Sequence, residues 1–195
     1  MNPEDQEDLS GFSMLELFRG EVENQKNQLT EGLLALENNS SDDDLLEGLM
    51  RAAHSIKGAA SIVNLGAAVE VAHKMEDAFE AVRRDPAPLG GGSIAHQVAG
   101  LSLSEPFRSS STLCGLLTEI MLHGVDLLSQ ISTTPETEIE RWVEEHRGAV
   151  ECFQADVDIY LQLHHRTPDS PTSEASPAAA PAAYPADMPM LDLFK

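Results

Sequence analysis

Positive charge is scarce in this chain. Twelve Lys and Arg stand against 33 Asp and Glu, for a formal net charge of −21. A surface this acidic repels the phosphates of nucleic acids and of anionic membranes, so neither is an expected partner. Cysteine is scarce as well. Cys114 and Cys152 lie far apart, outside any CxxC or Cys/His pattern. That excludes a disulfide framework and a zinc signature, and both read as packed thiols of a reducing compartment. No apolar run is long enough to span a bilayer. The first ten residues have no apolar h-region, so no signal peptide is expected and the chain reads as cytoplasmic. Aromatics make up only 5% and β-branched runs are few, which argues against a sheet protein.

What is present favours helices. The chain is 42% hydrophobic, enough for a core, and is rich in Leu, Ala and Glu. Residues 1–12 read as a disordered acidic lead. A first helix is expected over 13–37, opened by Ser13 and Glu16 at capping-box spacing. Its stripe is Leu15, Phe18, Val22, Leu29, Leu33 and Leu36. A second helix over 42–63 has Ser41 as its expected cap and buries Leu46, Leu49, Ala53, Ile56, Ala60 and Val63. Asp42, Asp43 and Asp44 suit its positive N-terminal end. Asn64, a residue that tolerates left-handed backbone, sits in the short connection to a third helix over 67–84. So short a connection makes the second and third helices antiparallel neighbours.

Residues 85–111 hold Pro86, Pro88, Pro106 and four glycines, and read as a long mobile loop with room for an extra short helix near 94–103. A fourth helix is expected over 112–131 and a fifth over 135–164, with Pro135 at its first position. The domain is therefore placed at 13–165. Residues 166–195 are a Pro/Ala-rich linker that ends in Met190-Leu191-Asp192-Leu193-Phe194-Lys195. That run echoes Met14-Leu15-Glu16-Leu17-Phe18-Arg19. It reads as the first turn of a second module, as a docking peptide on a tether, or as a chance similarity.

The chemistry concentrates in the second and third helices. His54, Lys57 and Gly58 are three and four residues apart and share one face, opposite the apolar stripe, with Glu47, Arg51 and Ser61. Gly58 inside a helix costs ~1 kcal/mol relative to Ala, which makes sense if a phosphoryl group or a partner must come close there. Lys57 would set a cation beside phosphate oxygens. An ordinary imidazole, with a pKa of ~6.5, is largely in its nucleophilic neutral form at physiological pH. On the third helix His73 and Glu76 also lie off the apolar stripe and could face His54 across the hairpin. A carboxylate accepting Nδ1–H would leave Nε2 free to attack, a role assigned to Glu76 with His73 as a weaker auxiliary. His164 and His165 read as solvent-facing at a helix end, and His96, His123 and His146 have no identifiable partners. Glu70 and His73 give one Glu-x-x-His spacing, where a di-metal bundle needs two.

The string His54-Ser55-Ile56-Lys57-Gly58-Ala59-Ala60 resembles the signature of histidine phosphotransfer (HPt) domains, and His73 and Glu76 followed by Asp77 resemble the arrangement in CheA-type chemotaxis kinases. Met14-Leu15-Glu16-Leu17-Phe18, Glu23-Asn24-Gln25, Leu33-Leu34-Ala35-Leu36-Glu37 and Gly124-Val125-Asp126-Leu127-Leu128 are similar to the Wsp-type chemosensory hybrid kinases in particular. The resemblance covers roughly 13–163. It implies an all-α fold, an up-down four-helix-type bundle with an additional C-terminal helix. It implies that His54 accepts a phosphoryl group from a kinase catalytic domain and passes it to a receiver-domain aspartate. No cofactor would belong to the chain itself, because ATP and Mg²⁺ would sit on the kinase and Mg²⁺ on the receiver. Gly90-Gly91-Gly92-Ser93 lacks the Lys and spacing of a phosphate-binding loop, so no self-phosphorylation is expected. The competing reading is an unphosphorylated helical adaptor that only docks signalling partners.

Overall fold

The computed structural model describes residues 13–39, 42–90, 92–98 and 100–166. The acidic lead, Ser41 and the expected linker and tail beyond residue 166 lie outside the described residues. Six α-helices appear within them: α1 (Met14–Leu36), α2 (Asp43–Ile62), α3 (Gly66–Arg84), the single turn α4 (Ala95–Val98), α5 (Leu113–Thr133) and α6 (Ile139–Arg166). There is no strand among the described residues, as the composition predicts.

Three of the five long helices start where a side chain accepts from free backbone N–H groups, whereas Leu65 at the start of α3 makes no such bond. Ser13 and Glu16 form the full capping box at α1, with Glu16 N–H bonded to Ser13 Oγ at 3.2 Å and Ser13 N–H to Glu16 Oε2 at 2.7 Å. The cap of α2 is Asp42, one residue beyond the expected Ser41, and its carboxylate accepts Leu45 N–H at 3.1 Å. A carboxylate serves this role as well as a hydroxyl and also meets the positive helix end. Thr112 caps α5. Pro135 precedes a 3₁₀ turn over Glu136–Glu138, so α6 begins four residues later than the proline suggests.

Helices α1, α2, α3 and α5 form a ring in which each packs on the next, and α6 lies across the seam of α3 and α5. The helices alternate in direction. Arg19 at the start of α1 donates to the carbonyls of Ser132 (2.9 Å) and Thr134 (2.7 Å) at the end of α5, which fixes that pair as antiparallel. The expected stripes make up most of the core, with Phe18, Leu29, Leu33, Leu49, Ile56, Met75, Phe79, Leu117, Ile120, Phe153 and Tyr160 fully buried, but Val63, expected inside, is only half-buried at the C-cap of α2. Two glycines allow the closest approaches. A Cβ at Gly32 would meet Leu49 Cδ2 at 2.8 Å, and one at Gly124 would meet the Phe153 ring at 2.8 Å and Met75 Sδ at 3.2 Å.

The segment 85–111 departs from a long mobile loop. It carries 3₁₀ turns over Ala87–Gly90 and Glu105–Ser109 besides α4, and it buries Leu89, Ile94, Val98, Leu103 and Phe107. Asp156 of α6 is itself buried and accepts from Ser104 N–H (2.9 Å) and Ser104 Oγ (2.6 Å), which staples the segment to the bundle. The glycines and prolines break regular helix, but the apolar residues between them still pay for order by covering the top of the core. No helix among the described residues is long and apolar enough to cross a membrane.

Candidate functional site

The register of the α2–α3 hairpin determines what faces His54. Asn64 adopts φ 57°, the left-handed conformation expected of it. Leu65 N–H then bonds to the Ala60 carbonyl at 3.0 Å, closing the end of α2 and starting α3 at Gly66. With the turn fixed, α3 runs back along α2 and brings Glu76 opposite His54.

There the Glu76 carboxylate joins two side chains of α2. Oε1 lies 2.6 Å from His54 Nδ1, and Oε2 accepts from Lys57 Nζ. The carboxyl group is shielded, with 14% of the side chain exposed, whereas the His54 side chain is 74% exposed. An ionised carboxylate can only accept, so a neutral His54 ring carries its proton on Nδ1 and presents Nε2 as a bare lone pair. The carboxylate is thus shielded on the α3 side, while the ring it holds stands exposed at the helix surface.

The neighbours of His54 complete that surface. Glu47 and Arg51 pair at 2.8 Å one turn before it. Ser61 Oγ donates to the Lys57 carbonyl at 2.8 Å one turn after it. Gly58 is exposed, and a Cβ added there would meet nothing within 4 Å. Internal packing therefore gives no reason for glycine at this position. Ser55 turns the other way and donates to Glu21 Oε1 of α1 at 2.5 Å, while Glu21 also accepts from Gln25 Nε2 at 2.9 Å. Sequence reasoning gave Ser55 and Glu21 no role. Their pairing depends on the register of α1 against α2, which periodicity does not specify.

His73 does not join the cluster by hydrogen bond. It is 61% exposed at its side chain and turns to Asp77 on its own helix, with Nε2 and Oδ1 3.5 Å apart. An i, i+4 carboxylate is the nearer partner, and Glu76 already occupies the position facing His54. His164 corrects its reading as solvent-facing. It is buried, bonded through Nε2 to the Asp85 carbonyl at 2.9 Å, and burial holds its pKa below the ordinary 6.5. His165 is exposed as expected. The partners missing from the sequence reading are these: His146 stacks on Trp142 at 4.2 Å with its Nδ1 2.9 Å from the Trp142 carbonyl, and His123 sits between Phe107 and Phe153. Among the described residues no group of three or more His, Cys, Asp or Glu side chains is placed to hold a metal ion.

Comparisons with known proteins point to one family. The Hpt domain model matches residues 13–147. The sensor histidine kinase CheAY of Helicobacter pylori is 38% identical over 71 residues, which cover 36% of this chain and 9% of that protein. The chemotaxis protein CheA of Borreliella burgdorferi is 30% identical over 76 residues, 39% of this chain and 9% of that protein. The CheA of Treponema pallidum is 28% identical over 87 residues, 45% of this chain and 11% of its own length. The chain thus spans about a tenth of the curated relatives it matches. No solved structure matches it. The family match over most of the chain, an all-α bundle and an exposed histidine held from the next helix agree: the chain belongs to the Hpt domain family, the histidine phosphotransfer modules.

Proposed function

We propose that His54 is the phosphoacceptor of this module, in a chemosensory phosphorelay fed by a CheA-type kinase. The observation that carries the reading is the Glu76 carboxylate on Nδ1 with the rest of the ring exposed. In the first step the Nε2 lone pair attacks the γ-phosphorus of ATP held in a kinase catalytic domain. A P–N bond forms as the bond to the ADP oxygen breaks, and ADP carries away the electron pair. The ring gains positive charge in this step, and the adjacent Glu76 carboxylate offsets it. In the second step a carboxylate oxygen of a receiver aspartate attacks phosphorus, and the P–N electron pair returns to Nε2. The chain's contribution is positioning and charge, which is most of what phosphoryl transfer requires.

Lys57 has a supporting role. Paired with Glu76 in the resting state and one helical turn from His54, its ammonium stabilises oxygens bound to Nε2 without competing as a nucleophile. Gly58, one turn beyond His54, keeps the helix surface low where the partner domain must approach. His73 stays an auxiliary on the rim through Asp77. ATP and Mg²⁺ belong to the kinase, and Mg²⁺ to the receiver.

The test is direct. The chain is treated with phosphoramidate, and any acid-labile, base-stable phosphate is located by mass spectrometry. Phosphate on His54 in the wild type, and none in a folded His54→Gln variant, is the expected result. A folded chain that takes no phosphate from phosphoramidate or from a CheA-type catalytic domain with ATP would leave the adaptor reading in its place.

A further inference from the structure

A groove runs between the start of α3 and the first half of α6. Its wider part encloses about 700 Å³ near Val63 and Val143, and a narrower stretch of about 390 Å³ continues past Ala67 and Val150. The groove follows from uneven cover along the first half of α6, where Ile139 and Val150 are buried but the residues between them are not. Phe153, Val157, Tyr160 and Leu163 are buried, while Trp142, Val143 and Ala149 are covered only in part. Glu140, Glu144 and Arg147 border the apolar floor.

We propose that residues 190–195 of the same chain dock in this groove as an amphipathic turn. The chain itself shows how this pattern packs. In Met14-Leu15-Glu16-Leu17-Phe18-Arg19, Leu15 and Phe18 are buried against the bundle, and Arg19 reaches out to carbonyls. Met190-Leu191-Asp192-Leu193-Phe194-Lys195 repeats that order of apolar, acidic and basic residues position by position. Leu191 and Phe194 supply the same i, i+3 apolar pair. The rim is mainly acidic, with Glu136, Glu140 and Glu144 on the wider part and Glu70 and Glu151 on the narrower, so it favours Lys195, and Arg147 is available to Asp192.

The connecting chain has the right length. From Arg166 back to Arg147 along α6 is about 19 residues, or roughly 29 Å at helical rise. Residues 167–189 are rich in Pro and Ala, and a coil of about 23 residues has a root-mean-square span of roughly 24–29 Å, while full polyproline extension reaches about 70 Å. Either way the tether reaches the groove, and a tail held on a tether that can span to its site is present there at an effective concentration of up to about millimolar. Weak intrinsic affinity is then enough for a mostly docked tail.

Cys152 provides the probe. It is exposed on α6 beside the groove, whereas Cys114 is buried with its thiol pushed up to about 11, so a nitroxide reagent labels Cys152 selectively. In the full chain at low concentration, NMR signals of Leu191, Leu193 and Phe194 should weaken more than about twofold relative to the reduced label, as a mostly docked tail requires. Leu191→Asp with Phe194→Asp, which leaves the bundle untouched, should restore them, and so should Val143→Glu in a chain with unchanged helicity. Equal signals in the wild type and the tail variant would overturn the proposal, as would a tail still broadened in Val143→Glu. Broadening seen only between a labelled chain and a separate isotope-enriched chain would make a second copy the occupant and also overturn it.

Discussion

Glu76 Oε1 lies 2.6 Å from His54 Nδ1, and that one contact ties a shielded carboxylate to an exposed ring across two helices. A hydrogen bond to a charged group contributes ~1.5–3 kcal/mol. If most of it is expressed as charge develops on the ring, its loss slows phosphoryl acceptance by roughly 10- to 100-fold. Glu76→Ala should therefore lower the rate of His54 phosphorylation by phosphoramidate by about that factor without abolishing it, since Glu76 never bonds to phosphorus. Glu76→Gln, which keeps an amide oxygen for Nδ1–H, should lose less. Identical rates in the wild type and Glu76→Ala would remove Glu76 from the mechanism.

Two glycines make opposite predictions from one substitution. A Cβ at Gly58 meets open space, so Gly58→Ala should stabilise the chain by ~0.5–1 kcal/mol through helix propensity. The same methyl lies on the face offered to the partner and should slow transfer to a receiver. A Cβ at Gly124 would sit 2.8 Å from the Phe153 ring, so Gly124→Ala should destabilise by ~1–3 kcal/mol through overpacking. Urea unfolding of the three proteins separates the effects. A Gly58→Ala variant that is both more stable and unimpaired in transfer would show that the glycine does not serve the partner.

Much of this was legible in the sequence, and the reason is periodicity. Stripes such as Leu46, Leu49, Ala53, Ile56 and Ala60 repeat at helical spacing, so the buried face of α2 and the outward face of His54 follow from one pattern. Asn64 marked the turn for the same local reason. What periodicity does not carry is register between helices. The Ser55–Glu21 bond depends on how neighbouring surfaces settle, whereas the pairing of His73 with Asp77 is an i, i+4 contact within α3. In segment 85–111 the short helix expected near 94–103 is there as α4, but the burial of the rest was not legible, because its apolar residues are spaced irregularly and are covered only once the core exists to receive them. His164 was misread at a helix end because the Asp85 carbonyl that holds it comes from a distant part of the chain.

The two thiols should differ sharply in reactivity. Cys152 is exposed, whereas Cys114 is buried, donates to the Leu36 carbonyl at 3.5 Å and has its pKa pushed up to about 11 by burial and by the nearby Glu37 charge. Only the thiolate reacts, and at pH 8 a group of that pKa is ionised to roughly one part in a thousand. A disulfide reagent should titrate one thiol promptly in the native chain and the second only on unfolding. Two fast thiols would mean that the α1–α5 contact around Cys114 opens readily.

The buried His164 makes stability depend on pH. Burial lowers its pKa in the fold, and the hydrogen bond to the Asp85 carbonyl and the Asp85 charge only partly oppose that. In the unfolded chain the imidazole returns to about 6.5 and takes up a proton more readily than in the fold. Between the lowered native value and 6.5 the unfolded state therefore binds more protons, so stability must fall as pH falls through that window. Above about 6.5 both states hold a neutral ring and the contribution is complete. The limiting slope for one group is ~1.4 kcal/mol per pH unit. The chain's many carboxylates add their own pH dependence, so the informative quantity is the difference between the wild type and His164→Gln, which keeps a donor for the Asp85 carbonyl. Urea unfolding from pH 7.5 to 5.5 should show the wild type losing stability more steeply than the variant. Parallel curves would mean that His164 takes up its proton as easily in the fold as in water, and that the contact with Asp85 opens to admit the charge.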